Sequence, residues 1–131
     1  MEKAVFYQVR VVGEQDTLLN NTGTHYFYQT FIQGSVDFIC GQAKSLFHVT
    51  ITLAENWGAI AAHHRNSAKE DTGFSFVNCK IKGNVFGEYQ CYGKGSNRTG
   101  RVEWSKNFNS EEAMPFLGRD YINGDQWLRL Q

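Results

Sequence analysis

Four short segments of this chain align without a gap, and their spacing dictates what it can fold into. They are Phe6-Tyr7-Gln8-Val9-Arg10-Val11, Phe27-Tyr28-Gln29-Thr30-Phe31-Ile32, Leu46-Phe47-His48-Val49-Thr50-Ile51 and Phe76-Val77-Asn78-Cys79-Lys80-Ile81. Each opens on a large apolar residue and closes on Val or Ile. Their starts lie 21, 19 and 30 residues apart. A period of about 20 residues is the mark of a solenoid, in which one unit cannot bury its apolar face until its neighbour stacks on it. The segments are rich in β-branched and aromatic residues, so the unit is a strand. Turn-prone stretches such as Asn20-Asn21-Thr22-Gly23 punctuate the intervals. The longer third interval holds Ala54 to Gly73 and reads as a coil bearing a loop. The predicted fold is all-β, a partial parallel β-helix; its competitor is an antiparallel sandwich.

The character changes after Gly83. Residues 84–109 are rich in Gly and Asn and read as one or two strands and a long loop. Ser110-Glu111-Glu112-Ala113-Met114 reads as the start of a short helix, with acidic residues in its first turn. The tail from Tyr121 to Leu130 carries Trp127 and is expected to pack back on the body. The organisation is thus one domain, with β-helix coils over 1–83 and a strand, loop and short-helix tail over 84–131.

Composition excludes several function classes. Basic and acidic residues balance at 13 each, whereas a nucleic-acid binder carries a basic excess. No apolar run approaches the roughly 20 residues that span a bilayer. Cys40, Cys79 and Cys91 make an odd number without a C-x-x-C pair, which argues against a zinc site or a dense disulfide framework. No basic segment leads into an apolar core at the N-terminus, so no signal peptide is read there. Asn20-Asn21-Thr22 and Asn97-Arg98-Thr99 fit the N-glycosylation sequon. His63 and His64 are adjacent on a strand and point to opposite faces, so they and His48 cannot easily share a metal ion. Gly93-Lys94-Gly95-Ser96 matches no phosphate-loop spacing, and no G-x-S-x-G elbow is present. Tyr26, Phe27, Trp57 and Trp104 are candidates to stack on sugar rings, with core packing the favoured alternative.

One pair of residues carries chemistry. Asp16 follows Val11 by five residues, and Asp37 follows Ile32 by five. In a stacked structure that equal offset puts one carboxylate above the other, about 4.8 Å per strand spacing. Two neighbouring carboxyl groups can divide the work of catalysis, one holding a proton as general acid and the other attacking as an anion. Gln15 offers an amide donor to a developing oxyanion. The competing role for both aspartates is turn formation through their own backbone.

The motifs around the pair carry a resemblance that covers nearly the whole chain. Gln15-Asp16-Thr17-Leu18, His25-Tyr26-Phe27, Gly34-Ser35-Val36-Asp37-Phe38-Ile39-Cys40-Gly41 and Gly73-Phe74-Ser75-Phe76-Val77-Asn78-Cys79 resemble the plant pectin methylesterases, or pectinesterases. Cys40 departs from that pattern, where Phe is usual, and the expectation is an effect on packing more than on chemistry. The resemblance implies a right-handed parallel β-helix that hydrolyses methyl esters of polygalacturonate in the plant cell wall. It implies a secreted, monomeric aspartyl esterase acting on pectin with neither metal nor organic cofactor, away from nucleic acid and membrane. By the family mechanism Asp37 is the nucleophile, Asp16 the acid and then base, and Gln15 an oxyanion donor.

The same resemblance exposes a gap. Family members carry a catalytic Arg in a Leu-Gly-Arg motif that orients the nucleophile. Here Lys80-Ile81-Lys82-Gly83 runs straight into Asn84-Val85-Phe86-Gly87, as though about two coils were missing. Leu117-Gly118-Arg119 has the right letters but belongs to the tail, and Arg65 is a weak substitute. The expectation is therefore weak or absent turnover, or a non-catalytic pectin-binding or unstable product.

Overall fold

A computed structural model describes residues 2–54, 58–82 and 108–129. All but the last two residues of the strand-and-loop segment predicted over 84–109, with Trp57, Trp104, Cys91, the Gly93–Ser96 stretch, the second sequon and the Gly83–Asn84 junction, lie outside the described residues.

The elements in chain order are β1 (Lys3–Tyr7), β2 (Arg10–Val12), β3 (Leu18–Leu19), β4 (Thr24–Gly34), β5 (Val36–Gly41), β6 (Lys44–Leu53), β7 (Ala59–His63), β8 (Gly73–Phe76), β9 (Lys80–Lys82) and the helix α1 (Ser110–Leu117). Two 3-10 turns, Arg119–Ile122 and Gly124–Gln126, follow the helix. Every strand pairing is parallel. One sheet runs β1-β4-β6-β8, with β2 also on β4 and β9 also on β6; the other runs β3-β5-β7. Strands of successive coils stack while each coil changes sheet, so the fold is a partial parallel β-helix and the sandwich alternative is excluded.

The stack follows from the repeat. Val11 pairs with Ile32, Ile32 with Ile51 and Ile51 with Ile81. Phe6, Phe27, Phe47 and Phe76 form a column of parallel rings, with centroids 4.5, 4.6 and 4.7 Å apart. That spacing is the strand separation itself, so identical side chains at one register position stack face to face. Phe27, Phe47, Ile32, Ile39 and Ile51 are fully buried and centre the core.

The gapless alignment fails at one point. Phe47, not Leu46, stacks on Phe27, because the third coil is one residue shorter at the bend. Gln8, Gln29 and Asn78 turn that corner in the left-handed conformation (φ 54°, 50° and 50°). In β6 the chain passes directly from His48 to Val49, partners of Tyr28 and Thr30. Leu46 instead faces outward, under the tail.

The tail packs on the first half of the larger sheet. Ile122 is buried with Tyr26 and Leu46, and Tyr121, Trp127 and Leu128 close over them. Trp127 Nε1 donates to the Ile122 carbonyl at 2.9 Å. Asn109 caps α1 through the Glu112 amide, and the Glu112 carboxylate accepts from the Asn109 amide, a reciprocal capping box.

Candidate active site

Asp16 and Asp37 occupy matching corners of successive coils. Gln15 bridges Val36, and Leu18 pairs with Ile39 a few residues on, so the register places Asp16 over Asp37. Both take the left-handed conformation, at φ 49° and 48°. Asp tolerates that region better than most residues because its short side chain bonds locally. The same corner geometry at Gln8, Gln29 and Asn78 shows that the backbone shape belongs to the solenoid. What distinguishes this corner is the carboxylate. Asp16 and Gln15 are exposed and Asp37 is half-buried, so the pair faces outward.

The glycines that frame the second motif are there for space. A Cβ on Gly34 would sit 2.2 Å from the Phe38 Cβ. Gly41 turns at φ 126°, and a Cβ there would sit 2.2 Å from the Asn20 carbonyl oxygen. Asp37 is therefore held between two close backbone approaches, with buried Phe38 and Ile39 anchoring the strand behind it.

Cys40 was expected to matter mainly for packing. Its half-buried thiol lies within electrostatic reach of the pair. Burial pushes the thiol pKa up, and the nearby charges of Asp16 and Asp37 push it further. Its register partner is Leu19, which is 67% exposed, so an apolar strip borders the carboxylates. A signal was present in the sequence: Leu19 and Cys40 each lie three residues beyond one of the aspartates.

No cation reaches the pair among the described residues, where the one ion pair is Lys44 with Asp71 at 2.7 Å. Arg65 donates to the Thr72 carbonyl and lies beside Tyr121, under the tail. Burial pushes the Tyr121 phenol up to about 12, with Asp71 adding to the rise and Arg65 opposing it. Arg119 lines a groove floored by Tyr26 and Tyr28. The histidines have separate partners: His63 the Ala43 carbonyl, His64 Asn66, and His48 the Tyr28 ring. Phe27 is core, and Tyr26 is 5% exposed beneath the tail, so neither offers a ring face at the pair.

The first sequon is also changed by the structure. Asn20 is 4% exposed and its Nδ2 donates to Ser45 Oγ at 2.6 Å. Its side-chain oxygen meets His25 Nδ1, so the side chain is buried and hydrogen-bonded in the folded chain.

Fold and site together define a β-helical protein with an outward-facing aspartate pair on one corner. A profile of the Pectinesterase family matches residues 1–86. The chain is 47% identical to Pectinesterase QRT1 of Arabidopsis thaliana, over 98% of this chain and 46% of that protein. It is 34% identical to Probable pectinesterase 49 and 30% identical to Probable pectinesterase 67 of the same plant, over 97% of this chain and 48% and 51% of theirs. This chain belongs to the pectinesterase family. It spans about half the length of the curated relatives it matches. The alignment with QRT1 runs over 177 positions although the chain has 131 residues, so the relative carries residues inside the matched span that this chain lacks. No solved structure matches it significantly.

Proposed function

We propose that this chain is a pectinesterase-type polypeptide whose Asp16–Asp37 pair is directed at methyl esters of polygalacturonate in the plant cell wall. The observation that carries this reading is the matched corner position of two carboxylates on successive coils. Asp37 attacks the ester carbonyl carbon, and the Gln15 amide donates to the oxyanion that forms. The intermediate collapses with cleavage of the C–O bond to the methoxy group, which takes the proton held by Asp16 and leaves as methanol. The resulting anhydride between Asp37 and the uronate is then hydrolysed. Asp16, now a carboxylate, takes a proton from water as the water attacks, and Asp37 is released. No metal or organic cofactor enters these steps. The polypeptide acts as a secreted monomer, with coils over 1–83 and a tail over 84–131.

Turnover is weak or absent, because no cation among the described residues partners the nucleophile to orient it. The missing span falls at the Gly83–Asn84 junction, close to where the family match ends. A second reading, favoured by a pair with no cationic partner among the described residues, is a product that binds pectin without turning it over. Methanol release from methylated pectin, measured beside pectin binding, separates the two. Trace release abolished by Asp37→Asn supports the esterase reading, and binding with no release supports the second. Release as fast as that of a full-length pectinesterase refutes the expectation of weak turnover.

A further inference from the structure

The tail builds a second concavity on a different flank of the solenoid. It is a groove of about 850 Å³, floored by Tyr7, Tyr26, Tyr28, Leu46 and His48, with Arg119 and Arg129 on the tail side. None of its lining residues comes from β3, β5 or β7, the strands beside the aspartate pair. The floor is an outward-facing row that crosses the strands. Tyr7 lies over Tyr28 at 5.8 Å and 13°, Tyr26 is stacked beside Tyr28 at 5.6 Å, and His48 meets Tyr28 edge-on. From β1 across β4 and β6 to Val77 the row spans three strand spacings, about 14 Å. That length suits a short run of linked sugar rings.

Charge in the groove is one-sided. The chain as a whole is neutral, yet among the described residues two guanidinium groups line this groove and no Asp or Glu does. Neither Arg119 nor Arg129 has a carboxylate partner among the described residues. Arg119 lies close enough to Tyr26 for its charge to oppose the rise that burial and Tyr28 impose on that phenol. Guanidinium groups pair with carboxylates in a planar, two-pronged fashion. The stacked tyrosines add apolar ring edges and hydroxyls to the same surface.

We propose that this groove binds an acidic oligosaccharide of the oligogalacturonate class, at a site separate from the aspartate pair. The choice of a uronate rests on the pectinesterase reading, since de-esterified pectin is the anionic sugar polymer that reaction leaves. Its carboxylates meet Arg119 and Arg129 while its rings lie against the accessible edges of Tyr7, Tyr28 and His48. The groove thus holds product chain on one flank while another flank presents the acids.

The test is a calorimetric titration of the full chain with three probes: oligogalacturonate, its fully methyl-esterified form, and polyglutamate. Oligogalacturonate binds best, and the esterified form and polyglutamate bind weakly. The double variant Arg119→Gln/Arg129→Gln binds oligogalacturonate about tenfold less tightly or worse, Arg119→Lys/Arg129→Lys recovers part of that loss, and Asp37→Asn binds like the parent. Circular dichroism establishes that each variant is folded. The proposal is overturned if oligogalacturonate does not bind, if polyglutamate binds as well, if the Gln variant binds unchanged, or if Asp37→Asn abolishes binding. Methanol release from the same preparations keeps the two readings apart. Groove binding without release sinks the esterase reading alone, and release with unaltered binding in the Gln variant sinks the groove alone.

Discussion

The flank carrying the aspartates and the flank under the tail are built from the same coils but are finished differently. On the first, the corner residues Asp16 and Asp37 face outward, with no cation beside them among the described residues. On the second, Ile122, Tyr121 and Trp127 cover the strands, and two arginines line a groove that has no acid among its described residues. Both flanks depend on one interior column of phenylalanine rings. The difference shows that a solenoid supplies repeated positions, while the chemistry at each position depends on which side chains the coils and the tail bring there.

The largest effect expected is on the shared column. Phe47→Ala removes a ring stacked between Phe27 and Phe76 and should cost about 3–5 kcal/mol in urea unfolding. If only one flank is lost, as read by hydrogen exchange, the two flanks are energetically separate and the shared-column view fails. Asn20→Ala should cost less, about 1–3 kcal/mol, because it leaves fully buried Ser45 without its donor. A neutral result there would mean that water replaces the amide.

Acid should weaken the same corner. Burial lowers the His25 pKa below the ordinary 6.5, and Glu2 opposes the shift in part. Protonation therefore costs more in the folded than in the unfolded chain. The contribution of neutral His25 is present above about pH 6.5 and is lost as pH falls through the lowered folded value. Unfolding midpoints measured from pH 8 to 5 should fall, and His25→Gln should flatten the slope below pH 6.5. An unchanged slope in that variant would assign the acid sensitivity to other groups.

The smallest effect is kinetic and local. Asp16→Asn/Asp37→Asn should speed alkylation of Cys40 several-fold at pH 8, because two charges that raise its thiol pKa are gone. Cys79 should not respond: its rise comes from burial, and its thiol bonds the Phe47 carbonyl at 3.3 Å, inside the coil. Site-resolved mass spectrometry reads both cysteines in one sample. Equal rates for Cys40 in parent and variant would place the carboxylates away from it.

Much of this architecture was legible in residue order. The recurrence of Val11, Ile32, Ile51 and Ile81 fixes a parallel stack, because residues at one register position meet at the strand spacing. The offset of Asp16 and Asp37 from that column foretold their matching corners, and Ser110 to Met114 foretold α1. The slip at Phe47 was not legible. A one-residue shortening at a bend shows only when the neighbouring coil reveals which ring stacks on which. Asn20 fitted a sequon, and its burial against Ser45, 25 residues away, was not legible. The reach of both carboxylates to Cys40 was not legible either, since it is a property of adjacent coils. The sequence by itself determined the repeating unit, the acids and their register, because each is set by local strand periodicity. Only the tertiary structure decided the cationic groove. It forms where Arg119 and Arg129 of the tail come to face Tyr7 and Tyr28, and no spacing along the chain records that meeting.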